Sequence, residues 1–185
     1  MIWGGENWES FVPEKVYEEL KNESPIDRRL METAMLSRLR WLEADDFARV
    51  PDCAEGLHNR IFAAVQSCRT LKELLDEVKT KRYAMARLRR MLLCAALGVK
   101  EGMNVGVPGY IRVLAAYEKG LALLREMKNT SLIPIITKPV HGDRLEGSAL
   151  ECFRLGNRAR AFYALGCGKD AQPDGDKRMG PYLFK

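Results

Sequence analysis

Through residues 13–98 apolar side chains recur every three or four positions, the spacing of amphipathic helices. Pro13, followed by Glu14, Glu18 and Glu19, predicts a short helix to Lys21, because proline suits the first helical position and carboxylates favour the positive end of the peptide dipole. Ser24-Pro25-Ile26-Asp27 is a second start, and the helix behind it should reach about Leu42, with Leu30, Met31, Ala34, Met35 and Leu39 as its apolar stripe. A short helix is predicted over 44–49, before Pro51-Asp52 breaks the pattern. From Ala54 to Ser67, Leu57, Ile61, Ala64 and Val65 mark another inward face. Thr70-Leu71-Lys72-Glu73 matches a capping box and opens a helix ending near Lys79. Thr80 is expected to cap the last of the series, which runs to Leu97 and stops at Gly98.

The texture changes at Gly102, where glycine and proline become frequent. Tyr110–Ala115 reads as one short strand, Gly120–Met127 as a helix and Leu132–Thr137 as another strand. That order suggests a βαβ-like unit, with Pro134 favouring an edge. Residues 148–165 read as helix, and Pro181-Tyr182-Leu183-Phe184 as a final edge strand. The fold class is therefore mainly α: a helical array over about 13–98, then a small α+β part over about 105–185 with two or three short strands. Residues 1–23, 24–101 and 102–185 form the natural divisions. Trp3, Trp8 and Phe11 crowd the first of these and suggest a segment meant to pack on something else.

Composition narrows the class. Hydrophobic residues at 46% and charged residues at 30% describe a globular chain, not a disordered one. No apolar run is long enough to span a bilayer, and Met1–Glu6 has no signal-peptide pattern, so the expected compartment is the cytoplasm. The five cysteines include no CxxC pair and the two histidines are far apart, so reduced thiols and no metal site are expected. A net charge of +5 tilts the choice of partner towards an anion, and its placement decides more than its size.

The charge is concentrated. Residues 79–90 hold six basic side chains and no acidic one. On a continuous helix Lys79, Arg82, Arg87, Arg89 and Arg90 share an arc of roughly 160°, while Ala84, Met85, Leu88, Met91 and Leu92 occupy the other side. Such a stripe, with Lys81 beside it, fits a phosphate backbone, because Arg and Lys replace condensed counterions. Tyr83 can stack on a base or simply pack. A solvated face met by carboxylates from elsewhere is the competing account, and the lack of an acidic i+4 partner leans towards an external anion. Glu55, Asn59 and Arg60, with Arg112 further on, form a second possible polar site or an internal network. His58 has no nucleophile and orienting acid near it in sequence, and no phosphate loop, GxGxxG or HEXXH occurs. No catalytic residue is named.

Three segments resemble one family, the bacterial tRNA(Met) cytidine acetate ligases, which are HIGH-type nucleotidyltransferases. They are Glu55–Ile61; Val78–Tyr83 with Arg87–Leu93; and Tyr110–Leu114 followed by a helix and Pro134–Lys138. Lys79–Tyr83 is the most specific. His58, Ala84, Met85 and Ala115 depart from the family's usual choices. The family joins acetate, through acetyl-adenylate made with ATP, to N4 of the wobble cytidine of elongator tRNA(Met), using an HxGH motif in an N-terminal domain. No HxGH occurs here. The resemblance therefore implies the C-terminal, tRNA-holding portion of such an enzyme, inactive alone, with residues 1–23 leaving a missing catalytic domain. It implies Lys79, Lys81, Arg82, Tyr83, Arg87, Arg89 and Arg90 as tRNA contacts, and ATP and acetate as ligands of the full-length enzyme with no cofactor in this chain. A docking or dimerisation module without nucleic-acid contact is the alternative.

Overall fold

The computed structural model describes residues 8–22, 26–53, 56–103, 106–167 and 171–184. Expectations resting on Trp3, Ser24, Pro25 and Glu55 lie outside these residues. A 3-10 turn, Trp8–Phe11, leads into α1, Glu14–Asn22, and the Phe11 side chain stands exposed.

The helical array follows as α2 (Arg28–Leu39), α3 (Ala44–Ala48), α4 (Leu57–Ser67), α5 (Leu71–Val78) and α6 (Met85–Leu97). Helix α2 is capped by Asp27, whose Oδ1 accepts from the Arg29 backbone N at 2.9 Å, and it stops short of the predicted Leu42. At α5 the Thr70 hydroxyl accepts from Glu73 N at 3.1 Å, while the Glu73 carboxylate reaches back to Arg69 N at 2.8 Å, one residue beyond the reciprocal partner of a capping box. Helix α6 ends where predicted. Gly98 adopts a left-handed φ of 82°, so that Val99 N reaches Cys94 O at 2.8 Å and Gly98 N reaches Ala95 O at 3.1 Å, a Schellman closure that side chains disfavour at that φ.

The apolar stripes meet in one core. Leu39, Phe47, Leu57, Ile61, Val65, Leu74, Val78, Leu88, Met91 and Leu92 are all but sealed from solvent. Each such side chain contributes about 1.5–3 kcal/mol of burial, which outweighs local propensity where the two conflict.

One conflict decides the segment before α6. The predicted helix start at Thr80 is wrong: Lys79–Ala84 is a turn and α6 begins at Met85. Tyr83 is 8% exposed and packs into the core. The turn that places it is held by the Lys79 ammonium, which donates to Thr80 O (2.8 Å) and Tyr83 O (2.5 Å). Thr80 Oγ1 accepts from Arg82 N at 3.2 Å, a local turn contact that competes with helix capping.

Beyond Gly102 the order is β1 (Ile111–Arg112), β2 (Ala115–Tyr117), α7 (Glu118–Thr130), β3 (Ile135–Ile136), a 3-10 segment Pro139–Arg144, α8 (Gly147–Ala164), α9 (Gly175–Arg178) and β4 (Tyr182–Phe184). The single strand predicted over Tyr110–Ala115 is two, making four short strands among the described residues. Strand β1 pairs parallel with β3, Ile111 opposite Ile135, and the connection through α7 makes the expected βαβ unit. Past Val113 the chain leaves that sheet, and β2 pairs parallel with β4, Ala115 opposite Tyr182. A second, smaller core forms around Ile136, Leu145 and Phe153. Gly142 sits against the Phe153 ring so closely that a Cβ there would fall 2.1 Å from Cζ. Helix α8 joins the two cores, sending Phe153 into the small one and Phe162 against the large one. No helix of the described residues is long and apolar enough to cross a membrane.

Candidate nucleic-acid interface

The basic residues of the Lys79–Arg90 segment do not form one helical stripe. Lys79, Lys81 and Arg82 belong to the turn before α6, and Arg87, Arg89 and Arg90 to its first two turns. Lys79 is spent on the carbonyls of the turn itself. Lys81, Arg82 and Arg89 are exposed, and the Lys81 and Arg89 side chains have no partner among the described residues. Tyr83 is buried, so it packs and offers no face to a base.

Arg87 and Arg90 meet a counter-group that the sequence placed far away. Arg90 Nη2 forms an ion pair with Asp52 Oδ2 at 2.5 Å, and Arg87 Nη2 donates to the Asp52 carbonyl at 2.5 Å. Asp52 is the non-glycine residue with positive φ among those described, at 65°, a conformation Asp tolerates better than most residues. The left-handed backbone is what lets one residue present carbonyl and carboxylate to two guanidinium groups. Arg87 also lies over the Tyr83 ring, 5.4 Å from its centroid, and its Nε is buried without an acceptor among the described residues. The buried ring thus shapes the surface from below. Two half-buried thiols flank this grid. Burial raises the Cys53 thiol above its ordinary range against the pull of Arg87, and raises Cys94 likewise against Arg90. Both stay neutral and leave the positive field undiminished.

Electrostatically the segment is therefore divided. One part, Arg87 and Arg90, is pre-organised against Asp52 but still solvent-facing, with 61% of the Arg90 side chain exposed. The other part, Lys81 and Arg89, is uncompensated among the described residues. An external polyanion finds a ready contact at the second and competes with Asp52 at the first. Asp52 escaped the sequence reading because it lies 38 residues from Arg90; its only local signal was the helix break at Pro51-Asp52.

The second predicted set does not assemble. Arg60 Nη2 donates to Glu77 O at 2.6 Å and so serves the open carbonyl end of α5. Asn59 is exposed on α4, Glu55 lies outside the described residues, and Arg112 is in β1 beside the small core. Arg60 is a structural tie, and the described members of the set lie on α4 and on β1. No three His, Cys, Asp or Glu side chains converge as a metal set among the described residues.

Sequence reading also missed a cleft of about 1040 Å³ between the end of α6 and α8, where Trp41, Arg154, Asn157 and Arg158 face one opening. Its walls come from segments more than a hundred residues apart, so no local pattern announces it.

Comparison with known proteins gives consistent results. The family profile described as HIGH Nucleotidyl Transferase matches residues 4–177. A tRNA(Met) cytidine acetate ligase of Clostridium tetani is 33% identical over 159 residues, covering 80% of this chain and 40% of that protein. The same-named protein of Thermosipho melanesiensis is 34% identical, covering 71% of this chain and 33% of its own length. Among solved structures, Thermotoga maritima TmcAL bound with alpha-thio ATP superposes with a TM-score of 0.82 at 25% identity, over 95% of this chain and 48% of that one. The chain thus spans about half the length of the solved neighbour and less of the curated relatives.

These findings correct one expectation. The absent HxGH predicts a C-terminal accessory portion outside the nucleotidyltransferase domain, with a docking module as the alternative. The profile that defines the nucleotidyltransferases instead runs over nearly all of these residues. The absence of HxGH does not mark the absence of the domain. A four-residue motif is a local signal, whereas the profile weighs the pattern of the whole stretch.

Proposed function

The chain belongs to the HIGH nucleotidyl transferase family, and on that premise we propose that it serves an ATP-using ligation on tRNA(Met), the activity its relatives are named for, with the tRNA backbone held at the start of α6. The observation that carries this reading is the exposed set Lys81, Arg82 and Arg89 beside the Arg87–Arg90–Asp52 grid. Cations in that arrangement neutralise phosphates and release counterions on binding. Arg90 presents a planar fork that fits phosphate oxygens in pairs, and Arg87, tied to the Asp52 carbonyl, supports it from the side. Tyr83 acts beneath the surface by holding the Arg87 side chain in place.

ATP enters this reading through the neighbour bound with alpha-thio ATP. The two histidines, His58 and His141, form no HxGH tetrad. That motif alone does not mark the domain, which the family profile matches over residues 4–177, and no step through ATP or acetate is assigned to a residue here.

The test is a fluorescence titration of the chain with tRNA(Met) at several salt concentrations. Affinity should fall linearly on a log–log plot, and Lys81→Ala with Arg89→Ala should flatten the slope by about 0.7–0.9 for each lost phosphate contact. Unchanged affinity and slope in that double variant would remove the proposed surface.

A further inference from the structure

The cleft beside α8 is a broad concavity, and the basic segment does not line it. Its volume of about 1040 Å³ suits a ligand of nucleotide size with room for solvent. Four cations face it without a side-chain partner among the described residues: Arg38 at the end of α2, Lys100 after α6, and Arg154 and Arg158 one turn apart on α8. Two carboxylates at its wall are already engaged, Asp46 with Arg49 and Asp174 with Arg178. Two others, Asp143 and Glu151, are not, so the cleft is not a plain anion trap. On its rim Trp41 is 81% exposed, an unusual position for the largest apolar side chain. In the wall, Asn157 lines the opening while its Oδ1 lies buried with no donor among the described residues. A buried acceptor left unmatched in this way is satisfied when a donor reaches it, and a base edge supplies one.

We propose that this cleft binds a nucleotide whose base is out of the stack: Trp41 covers the base, Asn157 reads its hydrogen-bonding edge, Arg154 and Arg158 hold the phosphate, and Asp143 and Glu151 accept from ribose hydroxyls. The mixture of groups selects this chemistry. Cations alone fit any polyanion, and an acidic peptide gives Trp41 no flat partner and repels Asp143 and Glu151. A nucleotide uses all three kinds of group, and base stacking on aromatic side chains is the usual mode for unpaired RNA. Helix α6 links this cleft to the basic segment, because Gly98 at its end lines the cleft and Arg89 lies about 14 Å back along the axis. A single RNA can therefore touch both. The inference rests on the reading of this chain as one that contacts RNA, but it concerns a separate surface.

The experiment follows Trp41 fluorescence in a Trp3→Phe, Trp8→Phe background, titrated with single-stranded pentaadenylate, with AMP and with hexaglutamate. Saturable quenching by pentaadenylate is expected, weakened about tenfold by Arg154→Ala with Arg158→Ala and also by Asn157→Ala. Quenching by AMP as well assigns the cleft to free nucleotides as much as to RNA, and its absence assigns it to RNA; both support the proposal. No quenching by either nucleotide probe overturns it, as does equal quenching by hexaglutamate. Indifference to the arginine substitutions, with Arg158→Glu as a second variant, overturns it too. Lys81→Ala with Arg89→Ala separates the two surfaces, since it should weaken tRNA(Met) binding while the loss of pentaadenylate quenching caused by Arg154→Ala with Arg158→Ala persists in that background.

Discussion

Asp52 provides the sharpest test of how the basic surface works, because it is a built-in competitor for the same guanidinium groups that a phosphate would use. In Asp52→Asn the left-handed backbone remains accessible, since Asn tolerates it as well as Asp, and the carbonyl that receives Arg87 is kept. What disappears is one negative charge 2.5 Å from Arg90 Nη2. The stability cost should be small. The two side chains are 61% and 49% exposed, and ion pairs at such sites are worth about 0.2–1 kcal/mol. The effect on RNA binding should be larger and opposite in sign. A charge removed about 4 Å from an arriving phosphate relieves ~1 kcal/mol of repulsion in water, which is about a fivefold gain in affinity. Releasing Arg90 should also steepen the salt dependence by about 0.7–0.9. The assay is the tRNA(Met) titration in the parent and the variant, with a urea melt of each. Weaker binding in Asp52→Asn, or tighter binding with an unchanged salt slope, would show that Arg90 is not a phosphate contact.

The remaining predictions address the scaffold. Tyr83→Ala should cost about 3 kcal/mol or more, as a large buried ring is lost from a packed core, read from the denaturation midpoint; a near-neutral result would mean that the ring does not hold the turn. Gly142→Ala should cost about 1–3 kcal/mol by overpacking, since the new methyl meets the Phe153 ring, and Phe153→Leu in the same chain should recover part of the loss. The helix caps should make stability depend on acid pH. The backbone N–H of Arg29 lowers the Asp27 pKa, and that of Arg69 lowers Glu73, in each case below the ordinary carboxylate value. Their contributions are therefore complete above the unfolded-state pKa values and are lost as pH falls through the lower folded ones. Urea melts from pH 7 downwards should show that loss, and Asp27→Asn with Glu73→Gln should flatten it.

Much of the chain could be read without coordinates, and particular elements show why. The end of α6 at Gly98, the start of α5 at Thr70 and the inward faces of α4 and α6 all rest on residues within one or two helical turns of each other. The β1–α7–β3 crossover pairs Ile111 with Ile135 over a longer span, but each of its elements carries a local pattern of its own. Periodicity, capping and turn chemistry act over that range, so the sequence alone determined a helical array followed by a βαβ unit, and a dense basic segment at residues 79–90.

The tertiary structure decided what that segment became. Burial of Tyr83 overrode the helix signal at Thr80 and turned three of the six cations onto a loop. Packing brought Asp52 across 38 residues to Arg90, and it left Arg60 on the helical array and Arg112 on β1. The strand at Tyr110–Ala115 divided because β3 and β4 each claimed one end of it. The physical reason is common to all of these: a side chain's partner is set by the burial energy of whole elements, which is summed over distant residues, whereas the signals along the chain are local and fix only which elements exist.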